Sequence, residues 1–458
     1  MSEKRQKIRT EDSASLRERR GAAPDDLRGG HGALAAKNEP ENSAETELLM
    51  EEVCDTANLE KAYRAVVSNK GSAGVDGMTV RQLGGYLKRC WPEIRETLLV
   101  GTYKPQPVRS VEIPKPSGGT RTLGIPTVLD RLIQQALLQV LQPRWDPTFS
   151  EYSYGFRPRR SAHQAVIQAQ GYIAQGHRTV VDMDLEKFFD RVNHDILMSR
   201  VARRVKDKRV LKLIRAYLNA GVMEGGLVSA RTEGTPQGGP LSPLLSNLLL
   251  DDLDRELERR GHCFVRYADD CNIYVCSHRA GERVLKSITE WLKRRLKLTV
   301  NEGKSAVAHP WERKFLGFSF TNERTPRRRL APASVKRFKA RVRQITRRTR
   351  RNLHGMVGEL RRYLTGWRGY FGLCETPSVL QDLDSWVRRR LRSAAWKHLK
   401  RGKARFSALR RRGVSKDLAA QTAGSPHGPW RISRSPALSY AFPNSRFDAL
   451  GLPRLATC

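Results

Sequence analysis

Residues 263–276 read Cys263-Phe264-Val265-Arg266-Tyr267-Ala268-Asp269-Asp270-Cys271-Asn272-Ile273-Tyr274-Val275-Cys276. β-Branched and aromatic residues flank a pair of aspartates, which predicts a hairpin with Asp269 and Asp270 at its tip. Because adjacent carboxylates repel each other, we expect a positive group nearby to hold both of them ionised. An Asp pair at a turn is often ordinary turn chemistry, so a catalytic interpretation needs a third carboxylate from elsewhere in the chain.

A second acidic cluster follows a β-rich run in residues 178–190. Asp182 and Asp184 are two positions apart, so they share one face of the predicted strand, and Asp184 is nearer its end. We therefore take Asp184 as the better ligand. If neighbouring strands bring it to Asp269 and Asp270, the three carboxylates can hold two Mg²⁺ ions about 3.5–4 Å apart, which activate a 3′-hydroxyl and stabilise a leaving pyrophosphate.

The charge balance indicates a polyanionic partner. The chain of 458 residues contains 84 Lys and Arg against 47 Asp and Glu, a net charge of +37. Such an excess favours nucleic acid. A structural nucleic-acid binder without a catalytic centre remains open on this evidence, and a membrane-surface protein is less favoured because no apolar run approaches about 18 residues.

Cysteine usage and the N-terminus bear on the compartment. The seven Cys include no Cys-x-x-Cys pair, so neither a zinc site nor a disulfide framework is supported. The N-terminus is polar and does not resemble a secretory signal. We expect a cytoplasmic protein.

The segments before the acidic strand are mainly helical. Residues 1–46 lack periodicity and are predicted to be disordered, and helical patterns follow at 47–67, 80–99 and 129–141. Residues 103–126 predict a two-stranded ribbon carrying Lys115 and Arg121, which either closes over phosphates or is a solvated basic hairpin. His163 is interpreted as a helix-start or core histidine.

Two later stretches suggest contacts with nucleic acid. The Gly/Pro-rich loop 234–243 precedes an apolar helix at 244–253, and its Gly238 and Gly239 would let a base or sugar approach the backbone; an ordinary loop is the alternative. Residues 335–351 combine a three- and four-residue apolar repeat with a dense basic face, and further helices are predicted at 353–367 and 383–399. We expect phosphate contacts that are salt-sensitive and independent of sequence.

In order, the segments Asp184–Asp190, Thr235–Pro243, Tyr267–Asp270, Asn301–Ser305 and Phe315–Phe320 resemble the reverse transcriptases encoded by group II introns, the intron maturases. The resemblance covers roughly residues 47–455. It implies an α+β right-hand polymerase, with a disordered tail at 1–46, an N-terminal extension and fingers at 47–178, a palm with an antiparallel sheet at 179–322, a helical thumb or maturase domain at 323–404, and a DNA-binding-like region at 405–458.

The resemblance also implies roles for individual residues. Asp184, Asp269 and Asp270 are similar to the catalytic metal ligands, with the main-chain oxygen of Leu185 completing one site. Residues expected near the incoming deoxynucleotide are Lys115, Arg121, Phe189 as a steric gate against a 2′-hydroxyl, Gln237, Gly238, and Lys304 near the pyrophosphate. Residues expected to contact RNA or DNA are Arg157, Arg341, Arg347, Arg348, Arg351, Arg368, Arg389 and Lys397.

The implied function is RNA-directed DNA polymerisation with two Mg²⁺ ions, together with binding of intron RNA to aid splicing and mobility. Expected partners are intron RNA, template RNA, primer DNA, dNTPs and target DNA, in a bacterial cytoplasm. Members often add a Cys/His-rich endonuclease domain, and no such cluster precedes Cys458, so we expect the endonuclease-lacking type. The alternatives are an RNA-folding cofactor with a vestigial polymerase site, and a retron, diversity-generating or CRISPR-associated reverse transcriptase.

Overall fold

The computed structural model describes residues 48–114, 119–224, 227–229, 233–235, 238–347 and 352–456, so the disorder predicted for residues 1–46 falls outside the described residues. The described α-helices, labelled in chain order, are α1 Leu49–Val53, α2 Thr56–Ser68, α3 Leu83–Val100, α4 Val128–Trp145, α5 Ala162–Ala174, α6 His194–Arg204, α7 Lys208–Asn219, α8 Ser242–Arg259, α9 His278–Arg295, α10 Pro332–Arg347, α11 Leu353–Phe371, α12 Pro377–His398, α13 Gly402–Arg410, α14 Lys416–Gly424, α15 Pro429–Ile432, α16 Pro436–Ala441 and α17 Asn444–Ala449. None of them combines the length and the apolar composition that crossing a membrane requires.

The described strands are β1 Val108–Pro114, β2 Thr120–Ile125, β3 Thr179–Met183, β4 Val222–Glu224, β5 Leu227–Ser229, β6 Cys263–Tyr267, β7 Asp270–Val275, β8 Ala306–Ala308, β9 Phe318–Phe320 and β10 Arg328–Leu330. The predicted ribbon is confirmed, because β1 and β2 pair antiparallel. It belongs to a larger sheet of order β2-β1-β4-β5. Lys115 lies outside the described residues, and Arg121 lies on β2 with its side chain outside the description.

The sheet that carries the acidic residues has the order β6-β7-β3-β8, with antiparallel neighbours. Its apolar face, which includes Val181 and Ile273, packs in one core with Leu249 and Leu253 of α8 and with Leu292 of α9. The predicted apolar helix after the Gly/Pro-rich loop is therefore α8, the support on which the sheet rests. A strand alternates its faces, so the burial of Val181 and Met183 places Asp182 and Asp184 on the opposite face of β3.

A second core joins the thumb helices to the segment that follows them. Phe338 of α10, Leu360 of α11 and Leu391 of α12 share it with Leu438 of α16 and Phe447 of α17. The composition of residues 405–458 is rich in Gly, Pro, Ser and Arg, yet the described part forms α14–α17, and α13 runs across the boundary predicted at residue 404. His163 is the second residue of α5, which confirms the helix-start interpretation, and its Nε2 lies 2.6 Å from the carbonyl oxygen of Tyr370.

Candidate active site and nucleic-acid face

The predicted hairpin is present, with the Asp pair at its tip. Tyr267 pairs with Asp270, which leaves Ala268 and Asp269 as a two-residue loop. Ala268 has a φ of 60°, in the left-handed region that hairpin turns of this length need. This conformation is uncommon for a residue with a side chain, so the surroundings must hold it.

A buried arginine holds the turn from beneath. Arg266 donates from Nε and Nη2 to the two carboxylate oxygens of Asp254 on α8, at 2.7 and 2.6 Å. Its Nη1 donates to the carbonyl oxygen of Ala268 at 2.9 Å, and further bonds reach Asn247 and Ser153. Burial alone would lower the pKa of Arg266, but the Asp254 carboxylate outweighs it and the pKa is raised, so the guanidinium stays charged.

The segment 152–155 lies along the outer edge of β6 and supports the same turn. Tyr154 N donates to Arg266 O and Arg266 N donates to Tyr152 O, both at 2.9 Å. Gly155 lies against the backbone of Ala268 so closely that a Cβ would not fit, and its carbonyl accepts from Asn247 Nδ2 at 2.8 Å. The backbone of the catalytic hairpin is thus fixed from α8 and from this segment.

Folding brings the third carboxylate to the hairpin. Met183 of β3 pairs with Cys271 of β7, so the next position along β3 places Asp184 opposite Asp270. Ser305 and Asn301 bond the backbone of Asp184, through Asp184 N to Ser305 Oγ at 3.0 Å and Asn301 N to Asp184 O at 2.8 Å. Lys304 Nζ lies 3.1 Å from Asp184 Oδ2.

The cluster concentrates negative charge at the cleft. Asp270 reaches solvent at the tip, but protein atoms crowd it, and this desolvation together with Asp269, Asp182 and Asp184 raises its pKa to about 6, against a small opposing effect of Lys314. Lys314 is the positive neighbour expected for Asp270, but its effect does not outweigh the burial and the three other aspartates. Arg313 pairs with Asp182 instead, its Nε 2.8 Å from Oδ2.

The donor set fits hard divalent cations. Within the described residues, no three acidic, His or Cys side chains are already arranged around one point as a metal site. The chemistry of the cluster nevertheless suits Mg²⁺, because carboxylate oxygens are its preferred ligands and a cation would relieve the repulsion that raises the pKa of Asp270. Leu185 forms an isolated antiparallel bridge with Val300, and the hydrogen bonds of this bridge are made by its neighbours, Asp184 and Glu186. In such a pair the backbone groups of the central residue point away from the partner strand, so the Leu185 carbonyl points away from residues 299–301.

A cavity of about 500 Å³ lies between β2 of the fingers sheet and the start of α8. Leu123 of β2, Phe189, Gly238 and Phe156 are among the residues that line it. Gly238 has a φ of 139°, and a Cβ there would lie 2.7 Å from the carbonyl oxygen of Gly124, so the loop touches β2 through backbone alone. Gln237 lies outside the described residues.

Comparison with known proteins agrees with this geometry. Residues 113–320 match the family described as "Reverse transcriptase (RNA-dependent DNA polymerase)", and residues 335–413 match "Group II intron, maturase-specific domain". Protein YkfC of Escherichia coli (strain K12) is 34% identical over 311 residues, which cover 59% of this chain and 81% of that protein. The chain belongs to the group II intron reverse transcriptase/maturase family.

Two further relatives are intron proteins. The group II intron-encoded protein LtrA of Lactococcus lactis subsp. cremoris is 39% identical over 195 residues, 42% of this chain and 32% of that protein. The putative COX1/OXI3 intron 2 protein of Saccharomyces cerevisiae is 30% identical over 332 residues, 59% of this chain and 38% of that protein. The chain spans about a third of the length of each. As a family member it is an RNA-directed DNA polymerase, and the right-hand α+β fold is confirmed.

Arg157 does not have the nucleic-acid role predicted for it in this reverse transcriptase. Its side chain is buried, and Nε donates to Asp146 Oδ1 at 2.8 Å. Nη1 donates to the carbonyl oxygens of Ser150 and Ser153, and Nη2 to that of Asp146. All three of its side-chain nitrogens bond the loop before α5, and the side chain is buried, so the guanidinium is not presented to a phosphate. A basic sequence neighbourhood could not reveal this internal use.

Most basic residues of α12 also face the protein. Arg389 stacks on Trp430, with its guanidinium carbon 3.8 Å from the ring centroid, and donates to Ser433 Oγ and Trp430 O. Arg388 is buried between Asp384 and Asp448. These two donors hold the C-terminal helices on the thumb, and the contact of the half-buried Arg389 with RNA or DNA stays a prediction. Lys397, nearer the end of α12, is exposed as predicted for a contact residue.

The predicted basic face of the maturase region is the exposed side of α10. Ser334, Phe338, Val342 and Ile345 are buried, whereas the exposed cations on the opposite face are Lys336, Arg337, Arg341, Arg343 and Arg347. Arg341 Nη2 lies 3.8 Å from Glu359 Oε1. Arg368 on α11 is half-buried, and Arg348 and Arg351 lie outside the described residues.

Sequence reasoning missed Arg266, Asp254 and Phe156. One signal was present for the first two. Arg266 interrupts an otherwise apolar strand, and Asp254 falls on the apolar side of α8. Both patterns predict that these charged side chains are buried. Charged residues that are fully buried need a partner, and each is the other's.

We predict that Arg266→Met lowers the free energy of unfolding by about 3–5 kcal/mol, because it leaves the Asp254 carboxylate buried without its partner. Arg266→Met/Asp254→Leu should recover most of that loss, while primer extension stays impaired because Ala268 still lacks its donor. Chemical denaturation and extension rates measure the two effects. Arg255→Met is the matched control on the exposed side of α8, expected to cost about 1 kcal/mol or less. Full activity in the double variant would contradict the anchoring role.

Proposed function

We propose that Asp184, Asp269 and Asp270, with the main-chain oxygen of Leu185, hold two Mg²⁺ ions and carry out nucleotidyl transfer from dNTPs on an RNA template. The observation that carries the proposal is the strand register that sets Asp184 opposite Asp270 at the hairpin tip. When bound, the two ions would supply activation of the primer 3′-hydroxyl and stabilisation of the leaving pyrophosphate. The chain's own contribution is a rigid frame, fixed through Arg266 and Gly155.

The residues around the cluster fit the handling of the nucleotide. Lys304 already lies beside Asp184, and it would be free to meet the pyrophosphate once a cation replaces it on that carboxylate. Gly238 lines the cavity and contacts the backbone of β2, and it has no side chain to fill the space that we propose for a base pair. Lys115, Arg121 and Gln237 are proposed on the resemblance alone.

The surroundings of Phe189 support its proposed role as a steric gate. It lies on the short 3-10 helix Phe188–Asp190 that follows β3, and its ring packs edge-on against the buried Phe188 at 5.2 Å. It also lines the cavity, so a partly exposed and well-supported ring faces the space expected for the sugar. A rigid ring there discriminates by clashing with an added hydroxyl.

The maturase activity would use the exposed basic face of α10, together with Arg368 and Lys397. This face presents several exposed cations, and phosphate contacts of this kind set affinity and register without reading bases. We propose that it binds the intron RNA, and that template RNA and primer DNA meet at the carboxylates of the palm, with target DNA as a further partner. An RNA-folding cofactor with a vestigial polymerase site is disfavoured by the intact carboxylate cluster.

Asp269→Ala/Asp270→Ala should abolish cDNA synthesis while leaving the affinity for intron RNA within about twofold of the wild type. The hairpin tip carries no cation that could bind a phosphate, so removing its carboxylates should not weaken RNA binding. Primer extension on an RNA template with dNTPs and Mg²⁺, alongside filter binding of the RNA, provides the measurement. Asp195→Ala, an exposed acid on α6, is the control. Extension by the double variant would refute the site assignment.

Phe189→Ala should raise the use of ribonucleotides relative to deoxynucleotides by roughly 10–100-fold, the range expected when one steric contact is removed. The ratio of kcat/KM for GTP and dGTP on the same primer–template measures it. Phe189→Tyr keeps the ring and should keep the discrimination. If the ratio is unchanged in Phe189→Ala, the gate lies at another residue.

A further inference from the structure

Phe156 combines two features that a core residue would not have. Its φ is 59°, in the left-handed region, where a bulky side chain costs roughly 1–2 kcal/mol. Its side chain is also 48% exposed, among the large hydrophobic residues that the structure leaves open to solvent. Neither burial nor backbone preference therefore explains an aromatic residue at this position.

The neighbours of Phe156 force this conformation on it. Gly155 is wedged against the backbone of Ala268 and bonded by Asn247, and Arg157 is fixed by Asp146, Ser150 and Ser153. The chain is therefore clamped on both sides of one exposed residue. Backbone strain that is over-determined in this way is characteristic of functional sites.

The Phe156 ring lies near the catalytic turn and lines the cavity. The Phe156 ring centroid lies 6.4 Å from that of Tyr267, the first residue of the catalytic turn. Phe156 also lines the cavity that Phe189 and Gly238 line. An exposed aromatic face beside a polymerase cavity is a surface on which any nucleobase can stack, since every base has a π-face.

We propose that Phe156 is a stacking platform for a nucleobase of the bound template–primer. The proposal rests on the proposed function, and it names a binding residue of that site. Because stacking does not depend on hydrogen-bond patterns, the platform would add affinity for any template sequence. The fixed loop 152–157 couples this platform to the carboxylates, since the same backbone contacts hold the Ala268–Asp269 turn.

The test uses the full-length protein with Phe156→Gly, Phe156→Leu and Phe156→Trp, and Ile167→Ala as a control at another exposed hydrophobic residue. Fluorescence anisotropy of a labelled DNA primer annealed to RNA, without dNTP, gives the Kd. We expect a roughly tenfold increase in Kd for Phe156→Gly, a smaller one for Phe156→Leu, and a change within about twofold for Phe156→Trp and for the control. A larger Kd for Phe156→Trp than for Phe156→Leu would overturn the proposal that Phe156 stacks on a base.

Thermal unfolding separates binding from folding. Phe156→Gly removes the left-handed strain, so its Tm should equal or exceed that of the wild type even as affinity falls. A lower Tm with an unchanged Kd would make Phe156 a structural residue and overturn the proposal, as would an effect confined to the KM for dNTP. Because binding is measured without dNTP, a wild-type protein that binds but fails to extend primers counts against the proposed function only.

Discussion

The bidentate pair between Arg266 and Asp254 is the interaction on which the catalytic hairpin depends. Two buried charges cost more to desolvate than most pairs return, so the pair is weak evidence of stability. What it provides is position. The same guanidinium reaches the carbonyl of Ala268, so α8, the segment beside β6 and the turn share one hydrogen-bond network. This network fixes the position of the turn, and therefore of the carboxylates of Asp269 and Asp270.

Charge is divided between holding the fold and meeting partners. The chain has a net charge of +37, which suggests a surface covered in phosphate contacts. Arg157, Arg266 and Arg388 are nevertheless buried in internal pairs. Exposed cations line one face of α10, whereas four aspartates lie close together in the palm. This separation agrees with the proposal that RNA binds along the thumb and that Mg²⁺ binds in the palm.

The sequence predicted the elements whose signal is local. Alternation predicted the β6–β7 hairpin and β3, and the apolar repeat predicted α10 with its basic face. It failed where a side chain's partner is distant along the chain. The sequence could not show that Arg157 pairs with Asp146 or that Arg389 stacks on Trp430. The helices after residue 405 were hidden because their composition favours loops, and only packing against Leu391 and its neighbours makes them fold.

The most direct test of the account is anomalous X-ray diffraction from crystals of the protein with template–primer and Mn²⁺, which reports the ion positions. The account predicts two peaks between Asp184 and the Asp269–Asp270 tip, about 3.5–4 Å apart, and their loss in Asp184→Asn. Anomalous peaks only at other places, with none at this cluster, would contradict the account. Peaks at the cluster that persist in Asp184→Asn would contradict it as well.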